Sequence, residues 1–241
     1  MIALLMVLAL RQAPPCADSA ALMTAAAERA ASLDLDGAIT QLASPASRRC
    51  AEAEVTYWYL RGLMAAREAY RYGGSPESLE PVRSALARLG PHTADSATAE
   101  IARIILLAAS AAAQSEREEM ALLLDHALQL EGRRRAAGLP GVPVVSAHEV
   151  AGDLWLQVHR FEDARLAYER AVQQVGATRR STLGLARTAA RLEDVPAACA
   201  EYRRLVAGWQ VAAAEPPELF EARGFLRRPA CGNPSTVPSR R

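Results

Sequence analysis

The sequence predicts an all-α protein made of stacked antiparallel helix pairs, and three observations support this fold class. Alanine and leucine, two strong helix formers, supply most of the 51% hydrophobic fraction. Aromatic residues are only 5% of the chain and β-branched residues are sparse, whereas sheets favour both kinds. A helix-turn-helix pattern also recurs at an offset of 34 residues. The 241 residues suffice for a real core, in one large domain or two small ones.

The first residues are apolar and match the centre of an export signal. The run at residues 2–10 falls short of the roughly 20 apolar residues that span a bilayer, so no integral membrane span is expected here. No Lys or Arg precedes the run, and Arg11 stands where a cleavage site needs a small residue. We expect residues 1–17 to be a signal peptide for the periplasm or cell envelope. A cytoplasmic protein with a frayed first helix and a lipoprotein anchored at Cys16 are the alternatives.

Three helix pairs are predicted ahead of the clearest repeats. The first lies within residues 17–43, around a turn at 34–37. The second has large and small residues on its first helix, a long loop at 73–76, and a second helix from residue 78. The third has apolar residues at helical spacing on both helices. The residues that mark the second and third pairs are Trp58, Gly62, Ala65, Ile104, Leu107, Ala108, Ala111, Leu124, Ala127 and Leu128.

The strongest repeat signal lies in residues 147–178 and 179–210. An offset of 34 residues superposes Ala164 on Ala198 and Tyr168 on Tyr202. Alanine and tyrosine four residues apart lie on one face of a helix. Each unit is therefore predicted as a first helix, a turn (residues 159–162 or 192–195) and a second helix that carries this pair.

This period resembles the tetratricopeptide repeat. Residues 148–225 are also similar to the end of uncharacterised bacterial tetratricopeptide proteins, through His-Glu at 148–149, Gly-Leu-Ala-Arg at 184–187 and Pro-Glu-Leu at 217–219. His148 and Gly176 depart from the family pattern, which usually has a large apolar residue and a proline there. The resemblance implies an α-solenoid over residues 18–228, whose concave side binds a peptide or protein partner.

The remaining segments are a loop, a closing helix and a tail. Residues 132–146 contain an arginine triplet followed by two prolines and are predicted as a loop. Residues 216–227 are predicted as a closing helix that covers the exposed end of the stack. Residues 229–241 are polar and contain proline and serine, so we expect a largely disordered tail.

The four cysteines allow three pairings in an oxidising compartment. The local pairs, Cys16 with Cys50 and Cys199 with Cys231, close the shortest loops. No two cysteines have the close spacing of a zinc or redox motif. Buried free thiols are the alternative, and signal cleavage after Ala17 would remove Cys16.

No catalytic, cofactor or metal site is predicted. The four histidines are scattered, and the sequence has neither a glycine-rich phosphate loop nor a nucleophile elbow. The 28 basic and 27 acidic residues give a net charge of +1, which argues against nucleic-acid binding. We expect a protein-interaction scaffold. A structural subunit of a larger assembly is the alternative, and an enzyme is a distant one.

Partner-binding residues are expected on the first helix of each pair, facing away from its mate. Arg180, Arg187 and Arg191 lie close to whole helical turns apart and form a basic stripe. The hypothesis is that they grip an acidic segment while an apolar patch (Ile105, Ala109, Ala112) accepts its side chains. Alternatively, Asp153 and Arg187 pair with each other, and the loop at 132–146 covers the patch. The expected partner-binding residues are Tyr59, Arg67, Glu149, Asp153, Arg180, Arg187 and Arg191.

Overall fold

A computed structural model describes residues 16, 19–45, 47–139, 141, 142, 144–209 and 216–232. The described residues form helices and turns without a strand, which confirms the all-α class for this part of the chain. The α-helices are α1 (Ser19–Ala31), α2 (Leu35–Leu42), α3 (Ala51–Arg71), α4 (Glu80–Leu89), α5 (Ala97–Ala113), α6 (Arg117–Ala136), α7 (Ala147–Gln157), α8 (Phe161–Val175), α9 (Arg179–Arg191), α10 (Val195–Ala207) and α11 (Pro217–Leu226). Of the predicted signal peptide, only Cys16 lies within the described residues.

Consecutive helices pack in pairs: α1 with α2, α3 with α4, α5 with α6, α7 with α8, and α9 with α10. The two turns predicted in the repeat region fall at the joints between α7 and α8 and between α9 and α10. The predicted closing helix is present as α11, which packs against α10. Within the described ranges, none of the helices combines the length and the apolar character needed to cross a membrane.

Side-chain caps fix where several helices begin. Ser146 and Glu149 form a reciprocal capping box at the start of α7, and Thr178 and Ser181 form another at the start of α9. The carboxylate of Asp194 accepts the Ala197 N–H at 3.1 Å at the start of α10. These groups satisfy backbone donors that a helix leaves unpaired in its first turn, so the local sequence determines the helix boundaries.

Small residues let the helices approach closely. The ring of Tyr168 lies against Gly152 of α7 and Gly184 of α9, and a Cβ atom at either glycine would collide with it. Ala164 and Ala198, which the repeat alignment superposes, are both fully buried. The core is therefore built from many close contacts of alanine and glycine, with tyrosine and leucine filling the spaces between helices.

One buried carboxylate fixes the segment between α6 and α7. The side chain of Glu131 is fully buried. Its Oε1 accepts the Val142 N–H at 3.1 Å and an Arg135 N–H at 3.3 Å, and its Oε2 accepts the Ala147 N–H at 3.2 Å. Burial by itself raises the pKa of Glu131, but the His148 ring, the Val142 N–H and Arg135 outweigh burial and lower it. Glu131 is therefore a charged structural anchor.

The predicted loop at 132–146 and the predicted tail at 229–241 both include residues that are helical in the structure. The helix α6 continues through the arginine triplet at 133–135 to Ala136, because arginine is a good helix former and its charge is favourable at a helix C-terminus. At the other end, Pro229–Cys231 forms a short 3-10 helix, and Cys231 is buried. Residues 233–241 of the predicted tail lie outside the described residues.

Two disulfides tie the ends of the described chain to its interior. Cys16 is joined to Cys50, with Cα atoms 5.4 Å apart, and Cys199 to Cys231, with Cα atoms 5.5 Å apart. The first bond attaches the segment before α1 to the start of α3. The second attaches the segment after α11 to α10. These are the two pairings that close the shortest loops.

Candidate functional site: a central groove and a basic cleft

The central groove, of about 560 Å³, runs between α3, α7 and α9. Leu63, Leu154 and Leu183 contribute apolar side chains from these three helices. The turn between α1 and α2 and the first residues of α11 also border the groove, so both ends of the described chain contribute to it. A groove of this kind offers apolar surface to a ligand while its rim carries charged groups.

The basic cleft, of about 740 Å³, adjoins the central groove. Leu156, Gln157 and Arg187 border both spaces. The walls of the cleft come from the end of α3, the turn between α7 and α8, the end of α9, and α10 and α11. They carry the side chains of Tyr70, Phe161, Arg191, Tyr202, Phe225 and Arg228.

The structure brings five of the seven expected partner-binding residues to these two spaces. Arg67, Asp153 and Arg180 line the central groove, and Arg187 borders both spaces. Arg191 lines the basic cleft instead. The predicted arginine stripe on α9 therefore extends from one space into the other.

Tyr59 and Glu149 do not border either space, and for these two the expected exposure is wrong. Tyr59 is 0% exposed, and its hydroxyl donates to the Val145 carbonyl oxygen at 3.3 Å. Glu149 is 4% exposed and accepts the Thr178 hydroxyl hydrogen at 2.5 Å, which ties α7 to the start of α9. The cause is a tertiary contact in each case, because a neighbouring segment covers a helix face that the repeat pattern leaves open.

The apolar patch on α5 is also covered by the chain itself. Ile105, Ala109 and Ala112 are all buried. Val142 and Val145, from the loop that precedes α7, lie buried in the same apolar cluster. Of the three patch residues, Ala109 alone borders the central groove.

Asp153 is the centre of a polar network in the wall of the central groove. It pairs with Arg180 and accepts the Tyr168 hydroxyl hydrogen at 2.5 Å. Burial, followed by the charge of Asp153, holds the pKa of Tyr168 well above its ordinary value, so the hydroxyl remains a donor. Burial by itself lowers the pKa of Arg180, but Asp153 and Glu149 outweigh burial and raise it.

Glu221 is the centre of a second network of the same composition. Arg187 donates to it through Nε at 3.0 Å and through Nη2 at 2.5 Å, and the Tyr202 hydroxyl donates at 2.8 Å. Burial raises the pKa of Glu221, but Arg187 outweighs burial and lowers it. The expected pairing of Arg187 with Asp153 is therefore wrong. Arg187 pairs with Glu221, which lies 34 residues after it, and not with Asp153, which lies 34 residues before it.

Sequence reasoning missed most residues of the basic cleft, among them Glu221, Arg228 and Phe225. Glu221 was detectable, because it follows Arg187 by the same 34-residue interval that separates Asp153 from Arg187. Arg228 and Phe225 carry no periodic signal. Their place in the cleft depends on how α11 packs on α10, where the rings of Phe225 and Tyr202 lie 4.8 Å apart.

Neither space has the donor set of a metal site. Within the described residues, His, Cys, Asp and Glu side chains do not gather in groups of three or more that suit a metal ion. The acidic groups at the two networks are engaged by arginine and tyrosine. The arrangement suits the binding of a ligand through apolar and charged contacts.

Comparison of the chain with protein-family models, with curated proteins and with solved structures finds no match in any of the three. Function is therefore inferred from the geometry.

Proposed function

We propose that this chain is a non-catalytic scaffold of tetratricopeptide-like repeats that binds an extended segment of a protein partner in the central groove. The observation that carries the proposal is the groove itself, which crosses α3, α7 and α9 and combines apolar walls with a charged rim. Apolar pockets for side chains and charged groups beside them are what an extended or helical segment needs for specific binding.

The repeat register supports the scaffold. Asp153, Arg187 and Glu221 stand 34 residues apart on α7, α9 and α11, so the closing helix continues the series of first helices. Tyr168 and Tyr202 occupy matching places on the second helices. Tyr168 donates to Asp153 on the helix before it, whereas Tyr202 donates to Glu221 on the helix after it. The positions of the residues, and not the individual hydrogen bonds, recur at the period of the sequence.

The charge distribution supports binding in the groove. Arg180 and Arg187 are already paired with internal carboxylates, which fixes the positions of the walls before a ligand arrives. Arg67 is exposed at the groove and has no ion pair among the described residues. Preformed walls lose little conformational entropy on binding, and the guanidinium of Arg67 is available to pair with a ligand carboxylate.

The test is a selection of peptides from a random phage-displayed library on the oxidised protein. The substitutions Met64→Glu and Arg67→Glu together place two carboxylates in the groove. Because apolar side chains of the ligand then meet charge, we expect selected peptides to lose at least about tenfold in affinity by calorimetry. Both side chains are at least partly exposed, so folding is expected to persist.

The matched control is Leu122→Glu with Arg117→Glu, which likewise replaces one apolar residue and one arginine with glutamate, on the exposed face of α6. It should leave affinity unchanged. A library that yields no binding peptide, or equal affinities for the two double variants, contradicts binding in the groove.

We also propose that the protein is exported to the periplasm or cell envelope. The support is the apolar run at residues 2–10 together with two disulfides, which persist in oxidising compartments. A Cys16–Cys50 bond in the exported protein requires signal cleavage before Cys16 and not after Ala17. A reporter fused after Ala31 should reach the periplasm or the medium. Cytosolic protein with an intact amino terminus would contradict export and favour a cytoplasmic scaffold.

A structural subunit of a larger assembly is the second candidate. The observation in its favour is Phe220 on α11, which is 66% exposed although it is large and apolar. A Phe220→Ser variant that leaves its assembly but keeps its peptide affinity would favour this role.

A further inference from the structure

The basic cleft carries more positive charge than its internal contacts use. Its charged lining consists of Arg187, Arg191, Arg228 and one carboxylate, Glu221. Glu221 is fully engaged, because Arg187 and the Tyr202 hydroxyl both donate to it. The surplus of two positive charges therefore belongs to Arg191 and Arg228.

These two arginines have no acidic partner in the described part of the chain. Both are exposed, and neither makes an ion pair with a described carboxylate. The guanidinium of Arg228 lies over the Phe225 ring, 4.2 Å from its centre, which holds the charge at the wall of the cleft. Arg191 is the last residue of α9 and lies across the same cleft.

The helix dipole accounts for only part of this arrangement. Arg191 lies at the C-terminal end of its helix, where the helix dipole favours a cation. The dipole does not explain why an arginine of α9 and an arginine after α11 border the same cavity. It also does not explain the aromatic walls, which Tyr70, Phe161 and Phe225 supply here.

A second feature of the cleft is a buried donor without an acceptor. The side-chain amide nitrogen of Gln157 is buried and has no hydrogen-bond partner in the described residues. Buried polar groups are ordinarily paired, so the amide N–H of Gln157 is available to donate to an oxygen of a ligand. Gln157 borders both the basic cleft and the central groove, at their junction.

We propose that the basic cleft binds acidic residues at one end of the same protein segment whose apolar side chains occupy the central groove. The proposal rests on the proposed function, since it names the chemistry of that partner. A chain lying in the groove passes Leu156, Gln157 and Arg187 to enter the cleft. There its Asp or Glu side chains meet Arg191 and Arg228. The partner is thus a segment with apolar anchors followed by a cluster of carboxylates.

The test analyses the peptides selected on the wild-type protein. We expect them to share apolar positions and to carry clustered Asp and Glu toward one end. Arg191→Gln with Arg228→Gln should weaken them about tenfold and reduce the dependence of affinity on salt, because two exposed charge contacts are lost. The control, Arg117→Gln with Arg170→Gln, removes two exposed arginines that line neither space and should leave affinity unchanged.

A second measurement does not depend on how the variants fold. Replacing the acidic residues of a selected peptide with Asn and Gln should weaken its binding to the wild-type protein by a similar factor. Selected peptides without acidic enrichment, or with equal affinity for the wild type and the Arg191/Arg228 variant, would overturn this proposal and leave the scaffold intact. Failure to select any peptide would overturn the scaffold as well.

Discussion

Replacing Glu131 with glutamine is expected to lower the free energy of unfolding by about 2–4 kcal/mol. The two carboxylate oxygens accept from different backbone groups, the Val142 N–H on Oε1 and the Ala147 N–H on Oε2. An amide has one acceptor oxygen, so either orientation places its NH2 group against one of these donors. A buried donor left unpaired costs about 1–3 kcal/mol, and the ion pair with Arg135 is lost as well.

Urea denaturation followed by circular dichroism measures this loss. The matched control is Glu119→Gln on the same helix, where the side chain is exposed, and its effect should stay within about 0.5 kcal/mol. Equal midpoints for the Glu131 and Glu119 variants would contradict the anchoring role of Glu131.

The pH dependence of the same comparison follows from the lowered pKa of Glu131. A carboxyl group whose folded pKa lies below its ordinary value of 4.5 stabilises the fold fully above that value. The stabilisation disappears as the pH falls through the folded pKa. The advantage of the wild type over Glu131→Gln should therefore be constant near neutrality and shrink below pH 4.5. A difference that grows on acidification would mean that the pKa of Glu131 is raised.

The all-α class and the turns of the repeat region were predictable because their signals are local. Tyr168 and Tyr202 recur with alanine four residues before them, and this spacing is a property of a single helix. The capping role of Glu149 was also readable, since Ser146 precedes it by three residues in the pattern of a capping box. The repeat resemblance suggested a groove position for Glu149, and the local motif was the better guide.

The site was predictable only as far as the repeat register extends. Arg67, Asp153, Arg180 and Arg187 were placed at the groove because they lie on first helices, on the face away from the mate. Tyr59 is buried and donates a hydrogen bond to Val145, 86 residues away, and no helical period encodes such a contact. Arg228 follows α11 and reaches the cleft only because that helix is held on α10.

Removing the disulfide between Cys199 and Cys231 is expected to lower the free energy of unfolding by about 3–4 kcal/mol. The bond closes a loop with a sequence separation of 32 residues, and the chain-entropy estimate for such a loop lies in this range. The helix α11 buries only Leu219, Ala222 and Phe225, so the fold offers few other contacts to hold this end.

The experiment compares the wild type with Cys199→Ala/Cys231→Ala in urea, each with and without a phosphine reductant. Reductant should lower the midpoint of the wild type strongly. The Cys16–Cys50 bond remains in the variant, so its midpoint should fall only by the contribution of that bond, whose loop has a similar separation of 34 residues. Amide hydrogen exchange should show α11 opening first in the variant, because this helix carries the loosened end. A variant as stable as the oxidised wild type, with α11 equally protected, would mean that the packing of Phe225 on Tyr202 and the pairing of Glu221 with Arg187 hold the helix without the bond.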